Sequence, residues 1–214
     1  MTPEATSTAA AARSLAELVS RIYARGWCEG TSGNFSVSLN RDPVRLLITP
    51  SGLDKGQLTP GDLLLVGPDG RPVDGACGEP SAETALHLAV RDASGANAIL
   101  HTHSVWNTLL GEHFLPRGEL RLTGYEMLKG IDGIGSHTSE LVVPIVANSQ
   151  DVPQLAEALQ QLIREAPDLR GLLIAGHGLY AWGRSLDEAY RHVEIFEFLF
   201  QLAGRRVPLV PFKG

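Results

Sequence analysis

Residues 98–106 read AILHTHSVW, in which three apolar residues are followed by two histidines with one residue between them. Together with the two residues before it, the run predicts a buried strand, and a short helix is expected to start at about Ser104. On a strand, side chains two positions apart point to the same face, roughly 7 Å apart along the chain. His101 and His103 are therefore placed to share one cation.

Helices and strands follow one another around this strand without regular alternation. Strand-like runs are NFSVSL, VRLLITP, DLLLVGPDG, LVVPIVAN and a pair of short strands within GLLIAGHGLYAWG. Helix-like runs are SLAELVSRIYARG, SAETALHLAVRDA with Ser81 near its N-cap, DVPQLAEALQQLIREA capped by Asp151, and SLDEAYRHVEIFEFLFQLAGR started by Ser185. This order predicts an α/β fold with a mixed, mainly antiparallel central sheet and helices packed on it.

Size and composition indicate one globular domain over residues 1–214, with residues 1–12 expected to be flexible. The chain is 43% hydrophobic and 20% charged, enough for a sizeable core and too apolar for a disordered chain. The net charge of −6 lacks the basic excess of a nucleic-acid-binding protein, and no apolar run reaches the length of a membrane span. With two cysteines and no signal-peptide pattern, we expect a cytoplasmic protein with no nucleic-acid or membrane partner.

A third histidine completes the pattern of a catalytic metal site. Catalytic zinc usually takes three protein ligands and keeps one position open. His177 is the best third candidate, because it lies between two glycines at a predicted turn between strands. The alternative is a set of structural histidines, which the short motif alone does not exclude. His87, His113, His137 and His192 lack partner spacing and are expected to be structural or exposed.

Three polar, glycine-rich segments predict an anion pocket. They are GTSGN (30–34), TPSG (49–52) and PSAE (80–83), each at a strand edge or a helix start. Small residues and hydroxyls at such places direct backbone N–H groups at an anion, and a helix start at Ser81 adds its positive end. Ordinary turn chemistry explains any one of these loops as well.

Two carboxylates accompany these motifs. Glu83 follows Ser81, and Glu126 lies between Tyr125 and Met127, apolar neighbours that are expected to raise its pKa. By residue type alone, either glutamate is more commonly a solvated surface group, and Lys129 is expected to pair with Glu126 as a helical ion pair. Cys28 and Cys77 have no basic or histidine neighbours that mark a nucleophile, so both are expected to be inert.

The motifs GTSGN, ITPSG, PSAE, HTH and GHG, in this order, resemble the class II aldolase and adducin head-domain family. The resemblance covers residues 14–204 and implies an α/β/α sandwich and a homo-oligomer, often a tetramer, with active sites near subunit contacts. It also implies that His101, His103 and His177 bind one zinc ion and that Glu83 is an acid/base. A phosphosugar substrate is implied, with its phosphate held by Gly33, Asn34, Ser51, Gly52 and Ser81.

Within the family, GYEMLKGIDGIGSHTSELVVPIVANSQD (124–151) is similar to the corresponding stretch of a phosphosugar dehydratase. That likeness implies a zinc-dependent hydro-lyase in which Glu126 is the leading acid/base and Glu83 the second. A sugar-phosphate aldolase or 4-epimerase with the same zinc-assisted chemistry is the first alternative. A non-catalytic adducin-like module and a metal hydrolase are the others; retention of the full histidine set disfavours the module.

Overall fold

The structure, a computed structural model, describes residues 3–73 and 78–207, which leaves Cys77 outside the described residues. Within these ranges the α-helices are α1 (Pro3–Ala24), α2 (Thr84–Ser94), α3 (Val105–Phe114), α4 (Val152–Glu165) and α5 (Leu186–Arg206). The strands are β1 (Asn34–Arg41), β2 (Val44–Ile48), β3 (Leu64–Val66), β4 (Ala98–Thr102), β5 (Glu119–Leu122), β6 (Leu141–Val146), β7 (Gly171–Ile174) and β8 (Gly178–Gly183).

The eight described strands form one sheet in the order β3-β2-β1-β4-β8-β7-β6-β5. Neighbouring strands are antiparallel except β6 and β7, which run parallel. The predicted mixed, mainly antiparallel sheet is therefore confirmed. Strand β5 was not predicted, because its four residues ELRL are too few for a periodic signal.

Helices cover both faces of the sheet, as an α/β/α sandwich requires. Alternate residues of the central strands enter two separate cores: Leu173 and Leu179 pack with α1, α3 and α5, while Leu172 and Tyr180 pack with α2 and α4. This alternation follows from the two-residue period of a strand buried on both faces. The fold is that of the expected sandwich.

The helix starts are mostly those that the sequence predicts. The side chains of Ser104, Asp151 and Ser185 each accept a backbone N–H in the first turn of α3, α4 and α5. Helix α2 starts later than predicted: Glu83 is at the N-cap, and the Ser81 hydroxyl accepts the Glu83 N–H at 3.2 Å. Helix α1 begins at Pro3, so residues 3–12 are helical.

The sheet topology brings the histidine motifs to one place. Strand β4 lies in the middle of the sheet between β1 and β8, and His101 is paired with Tyr180 across the β4–β8 ladder. Strands β7 and β8 join through the turn that carries His177, as predicted. None of the helices described here combines the length and the apolarity needed to cross a membrane.

Candidate metal centre

His101, His103 and His177 converge at the carboxyl end of β4. Their ligand nitrogens all lie within 4.8 Å of one another. The His101 Nε2 atom is 2.7 Å from His103 Nε2 and 3.3 Å from His177 Nε2. The structure thus brings together all the histidines that the sequence singles out as metal ligands, and this triad could bind a metal ion.

A backbone contact orients the His101 ring within the triad. His101 Nδ1 lies 3.0 Å from the Leu179 carbonyl oxygen and can only donate to it, which leaves Nε2 with a free lone pair. His177 Nδ1 is buried without a hydrogen-bond partner in the described part of the chain. Burial lowers the pKa of His101 well below its ordinary value and that of His103 to about 4. Both rings are therefore neutral near pH 7, as metal ligation requires.

Glycines allow the close approach of the segments around the triad. A Cβ at Gly178 would collide with the Thr102 carbonyl oxygen and lie 3.0 Å from His101 Cε1. A Cβ at Gly33 would lie 2.8 Å from the His101 carbonyl oxygen, and Gly33 has a φ of 73°. Both positions therefore need glycine for steric reasons.

Glu83 is the carboxylate nearest to the triad. Its Oε1 atom is 3.0 Å from His177 Nε2, and its Oε2 atom is 3.3 Å from His101 Nε2. Burial by itself raises the pKa of Glu83, but the hydrogen bonds from His177 and Asn34 and the nearby His101 ring hold it well below the ordinary range. Glu83 is thus an ionised group facing the position that a metal and its substrate would occupy.

A buried hydrogen-bonded network holds the Glu83 carboxylate. Asn34 Nδ2 donates to Glu83 Oε2 at 2.6 Å, and the Tyr180 hydroxyl donates to the same oxygen at 3.0 Å. The side-chain oxygen of Asn34, Oδ1, contacts His87 Nε2, and His87 Nδ1 is 2.7 Å from the Ser36 hydroxyl. His87 therefore orients the Asn34 amide so that its NH₂ group faces Glu83.

The Tyr180 ring has a second contact in the site. It stacks on the His101 ring with a centroid distance of 4.1 Å and an interplanar angle of 17°. Tyr180 is fully buried, and its pKa is raised well above the ordinary value by burial and by the Glu83 charge. Its hydroxyl therefore remains protonated, and able to donate, near neutral pH.

The turn from β4 to α3 is anchored on α5. Asn107 Nδ2 donates to the Thr102 carbonyl oxygen at 3.2 Å and to Glu197 Oε1 at 2.9 Å. Burial raises the pKa of Glu197 to about 7. These contacts fix the backbone on both sides of His103.

The three glycine-rich loops lie side by side next to the triad. Pro50 and Pro80 form an isolated bridge, and the Ser51 N–H donates to the Glu79 carbonyl oxygen at 3.0 Å. Ser51 and Gly52 are exposed and Ser81 is half-buried, whereas Asn34 is buried and its amide is engaged by Glu83 and His87. The Ser51 and Ser81 hydroxyls are thus the loop groups placed to contact an anion, while the Asn34 side chain contacts Glu83.

Glu126 is not in this cluster. It lies in a short 3-10 helix, Glu126–Gly130, with a side chain that is 68% exposed and that pairs with Lys129, as predicted, and with His137 at 3.2 Å. The hydrogen bond from Lys129 lowers the pKa of Glu126, so the expected rise is wrong for this chain. Apolar neighbours in sequence do not bury a side chain when they point elsewhere.

Sequence reasoning missed His87, Tyr180 and the buried Lys55. His87 is four residues after Glu83, a spacing that places both on one face of α2 and could have linked them. Tyr180 contacts His101 through strand pairing, which no local pattern encodes. Cys28 is buried, and burial raises the pKa of its thiol to about 12, which agrees with the inert role expected for it.

Comparison with known proteins places this geometry in one family. The family model described as "Class II Aldolase and Adducin N-terminal domain" matches residues 13–203. Methylthioribulose-1-phosphate dehydratase of Marinobacter nauticus is 42% identical over 200 residues, which cover 92% of this chain and 94% of that protein. The Yersinia enterocolitica protein of the same name is 47% identical over 192 residues, which cover 86% of this chain and 87% of that protein.

Solved structures agree with these relatives. The chain is similar to L-fuculose-1-phosphate aldolase from Thermus thermophilus, with a TM-score of 0.69, 29% identity and coverage of 92% of this chain and 93% of the other. A sugar-phosphate aldolase from Thermotoga maritima shares the fold with a TM-score of 0.67 at 20% identity, over 92% of this chain and 97% of the other. The chain belongs to the class II aldolase and adducin N-terminal domain family.

Proposed function

We propose that this protein is a hydro-lyase that dehydrates 5-methylthioribulose 1-phosphate to 2,3-diketo-5-methylthiopentyl 1-phosphate, a step of methionine salvage. The observation that carries the proposal is the convergence of three histidines and Glu83, in a chain 42% identical to a methylthioribulose-1-phosphate dehydratase along nearly its whole length. A metal site with an adjacent ionised carboxylate suits removal of a proton next to a ketone.

We assign one zinc ion to the triad. The donor set supports this assignment: three imidazoles, of which His101 and His103 have lowered pKa values, a fixed tautomer at His101, and room kept by Gly178. When bound, zinc acts as a Lewis acid toward the ketone and hydroxyl oxygens of the substrate. Removal of the metal with a chelator is expected to abolish turnover, and readdition of zinc to restore it.

The protein groups supply the proton transfers. A base removes the proton from C3, and an acid protonates the hydroxyl that leaves C4, so that one water is lost and the resulting enol tautomerises to the diketone. Glu126 leads these transfers and Glu83 assists, orienting the diol from its network with Asn34 and Tyr180. Each acid/base group is expected to contribute about 10²- to 10⁴-fold to the rate.

Glu126 would act on a neighbouring copy of the chain. Glu126 follows β5, and β5 is four strands from β4, the strand that carries His101. At the usual strand spacing the two strands are roughly 19 Å apart. The Glu126 side chain is 68% exposed, so it can contact the surface of another subunit. We therefore propose a homo-oligomer, with a tetramer favoured, whose site is completed at a subunit contact; light scattering after gel filtration measures the oligomer size.

The substrate phosphate would be held by the loops, through Gly33, Asn34, Ser51, Gly52 and Ser81. Their proximity, the exposure of Ser51 and Gly52, and the glycine φ angle of 70° at Gly52 support this placement. The Asn34 side chain has a second role, because its amide NH₂ already donates to Glu83.

The reducing cytoplasm is the proposed compartment, because the chain has only two cysteines. Cell fractionation tests this proposal.

Product analysis decides the reaction. The zinc-loaded protein is incubated with 5-methylthioribulose 1-phosphate, and mass spectrometry is expected to show loss of one water to the diketone. A triose phosphate or aldehyde fragment, or an unchanged mass with an inverted centre, would contradict the dehydration.

Subunit complementation tests the shared site. Glu126→Gln and His101→Gln are each expected to lose most activity, and refolding the two variants together is expected to restore part of it, since some sites then combine an intact Glu126 with an intact triad. Failure of the mixture to recover activity, in oligomers shown to be mixed, would place Glu126 in its own subunit or outside the mechanism.

A sugar-phosphate aldolase or 4-epimerase is the second candidate. The 29% identity with L-fuculose-1-phosphate aldolase over nearly the whole chain favours it, and the same triad and Glu83 suit its chemistry. Assay with L-fuculose 1-phosphate separates it from the dehydratase, because cleavage yields two fragments and no water.

A further inference from the structure

Lys55 is a buried cation between two of the glycine-rich loops. Lys55 is 2% exposed, although Ser51 and Gly52, a few residues before it, are exposed. The Nζ atom donates to the Thr31 carbonyl oxygen at 3.1 Å and to the Leu53 carbonyl oxygen at 2.9 Å. One ammonium group therefore joins the loop 30–34 to Leu53, the residue that follows the loop 49–52.

The charge of Lys55 has no close carboxylate partner. Within residues 3–73 and 78–207, no acidic oxygen lies within 4.0 Å of its Nζ atom, and the adjacent Asp54 carboxylate instead accepts the Gly56 N–H at 2.9 Å. Burial lowers the pKa of Lys55, and the opposing effects of Cys28 and Asp54 do not cancel this shift. An anion bound nearby would offset the cost of burying the charge.

The loops themselves supply no positive charge. GTSGN, TPSG and PSAE contain no Lys or Arg, so they offer an anion only hydroxyls and backbone N–H groups. Two of the loops are adjacent through the Pro50–Pro80 bridge, and Lys55 donates to Thr31 in the first loop and to Leu53, directly after the second. Lys55 is thus a buried basic residue beside these loops.

We propose that Lys55 is the buried counter-charge of the anion pocket and sets its affinity for a phosphate dianion. It acts as a positioning residue, through space and by holding the two loops together, since its hydrogen bonds go to backbone carbonyl groups. The inference rests on the proposed function in one respect: the anion is the phosphate group of the substrate.

Removing the charge should weaken phosphate binding and leave the metal site intact. Lys55→Gln keeps an N–H donor for a loop carbonyl but has no charge, whereas Lys55→Met lacks both. By Coulomb's law, one charge roughly 6 Å from a dianion corresponds to about tenfold in Kd even at the dielectric constant of water, and to more at the lower dielectric of the protein. Arg164→Gln removes the same charge from the exposed face of α4 and is the matched control.

Calorimetric titration of the zinc-loaded full chain with methyl phosphate measures this binding, and zinc content is determined in parallel. We expect Kd to rise at least about tenfold in both neutral variants and to stay within about twofold in Arg164→Gln. Wild-type affinity in Lys55→Gln with loss only in Lys55→Met would overturn the proposal, because the hydrogen bonds rather than the charge would then matter. Loss of zinc from Lys55→Gln would also overturn it.

A charge-retaining variant covers the case in which both neutral variants fail to fold. Lys55→Arg is expected to bind methyl phosphate within a few-fold of the wild type, and a loss of about tenfold or more in the folded variant would refute the role of the charge. Absence of methyl phosphate binding by the wild type would refute the counter-charge and leave the dehydration to product analysis. The two proposals therefore fail separately.

Discussion

Replacement of Tyr180 by phenylalanine removes one hydrogen bond to Glu83 and tests its contribution to catalysis. The change removes the hydroxyl that donates to Glu83 Oε2 at 3.0 Å and retains the ring that stacks on His101 at 4.1 Å. Since the Asn34 amide still donates to the same oxygen at 2.6 Å, Glu83 keeps one neutral donor there. The variant therefore perturbs the carboxylate without removing a metal ligand.

The expected effect follows from the strength of hydrogen bonds to charged groups. Such a bond contributes about 1.5–3 kcal/mol, and we take the lower end, about 1.5 kcal/mol, because Asn34 remains. That free energy corresponds to a rise of roughly one unit in the Glu83 pKa and to a loss on the order of tenfold in kcat/KM. The free energy of unfolding should fall by a similar amount, about 1.5 kcal/mol.

The assay compares Tyr180→Phe with Tyr190→Phe. Burial and the neighbouring Glu194 carboxylate on α5 raise the pKa of Tyr190, so its variant removes a tyrosine hydroxyl near a carboxylate outside the candidate site and should leave kcat/KM unchanged. Steady-state kinetics, urea unfolding and zinc content are measured for both. Unchanged kcat/KM in Tyr180→Phe would refute the role of its hydroxyl, and zinc loss in proportion to activity would show that the hydroxyl supports the metal site instead of acting on catalysis through Glu83.

Three other perturbations test the site. His103→Gln should lower zinc content and activity together, as measured by elemental analysis of the purified variant; full zinc occupancy would contradict the triad. Gly178→Ala should abolish both because its Cβ would collide with the Thr102 carbonyl group, whereas Gly135→Ala, whose Cβ would meet no atom within 4 Å, should be neutral in both assays. Glu197, with its pKa raised from 4.5 to about 7, contributes stability that is complete below about pH 4.5 and is lost as the pH rises through 7, about 3 kcal/mol in all. Urea unfolding at about pH 5 and about pH 8 should therefore show a smaller decline in Glu197→Gln than in the wild type, and an equal decline would contradict the shift.

Local patterns were sufficient to predict much of the fold and the pairing of two of the candidate metal ligands. Strand β4 is a short apolar run, and the i, i+2 spacing of His101 and His103 places both rings on one face whatever the rest of the chain does. The glycines on both sides of His177 predict the β7–β8 turn for the same local reason. The helix caps Ser104 and Asp151 are equally local, since each side chain bonds the backbone a few residues on.

Contacts across the sheet depend on strand order, which no local pattern encodes. The sequence suggested an acid/base at Glu126 with a raised pKa, but the placement of its helix on the surface exposes it to Lys129 and lowers that pKa. Conversely, Asn34 and Tyr180 meet Glu83 only because β1 and β8 both flank β4.

By itself, the sequence determined the alternation of buried and exposed positions, the turns and the pairing of two histidines on one strand, because these depend on neighbours a few residues apart. The tertiary structure alone decided which distant groups share the site: His177 lies 76 positions from His101 and Tyr180 lies 97 positions from Glu83. The physical reason is that burial, charge and hydrogen bonding act over a few ångströms in space. Only the packing of β1, β4 and β8 side by side brings those groups within that range.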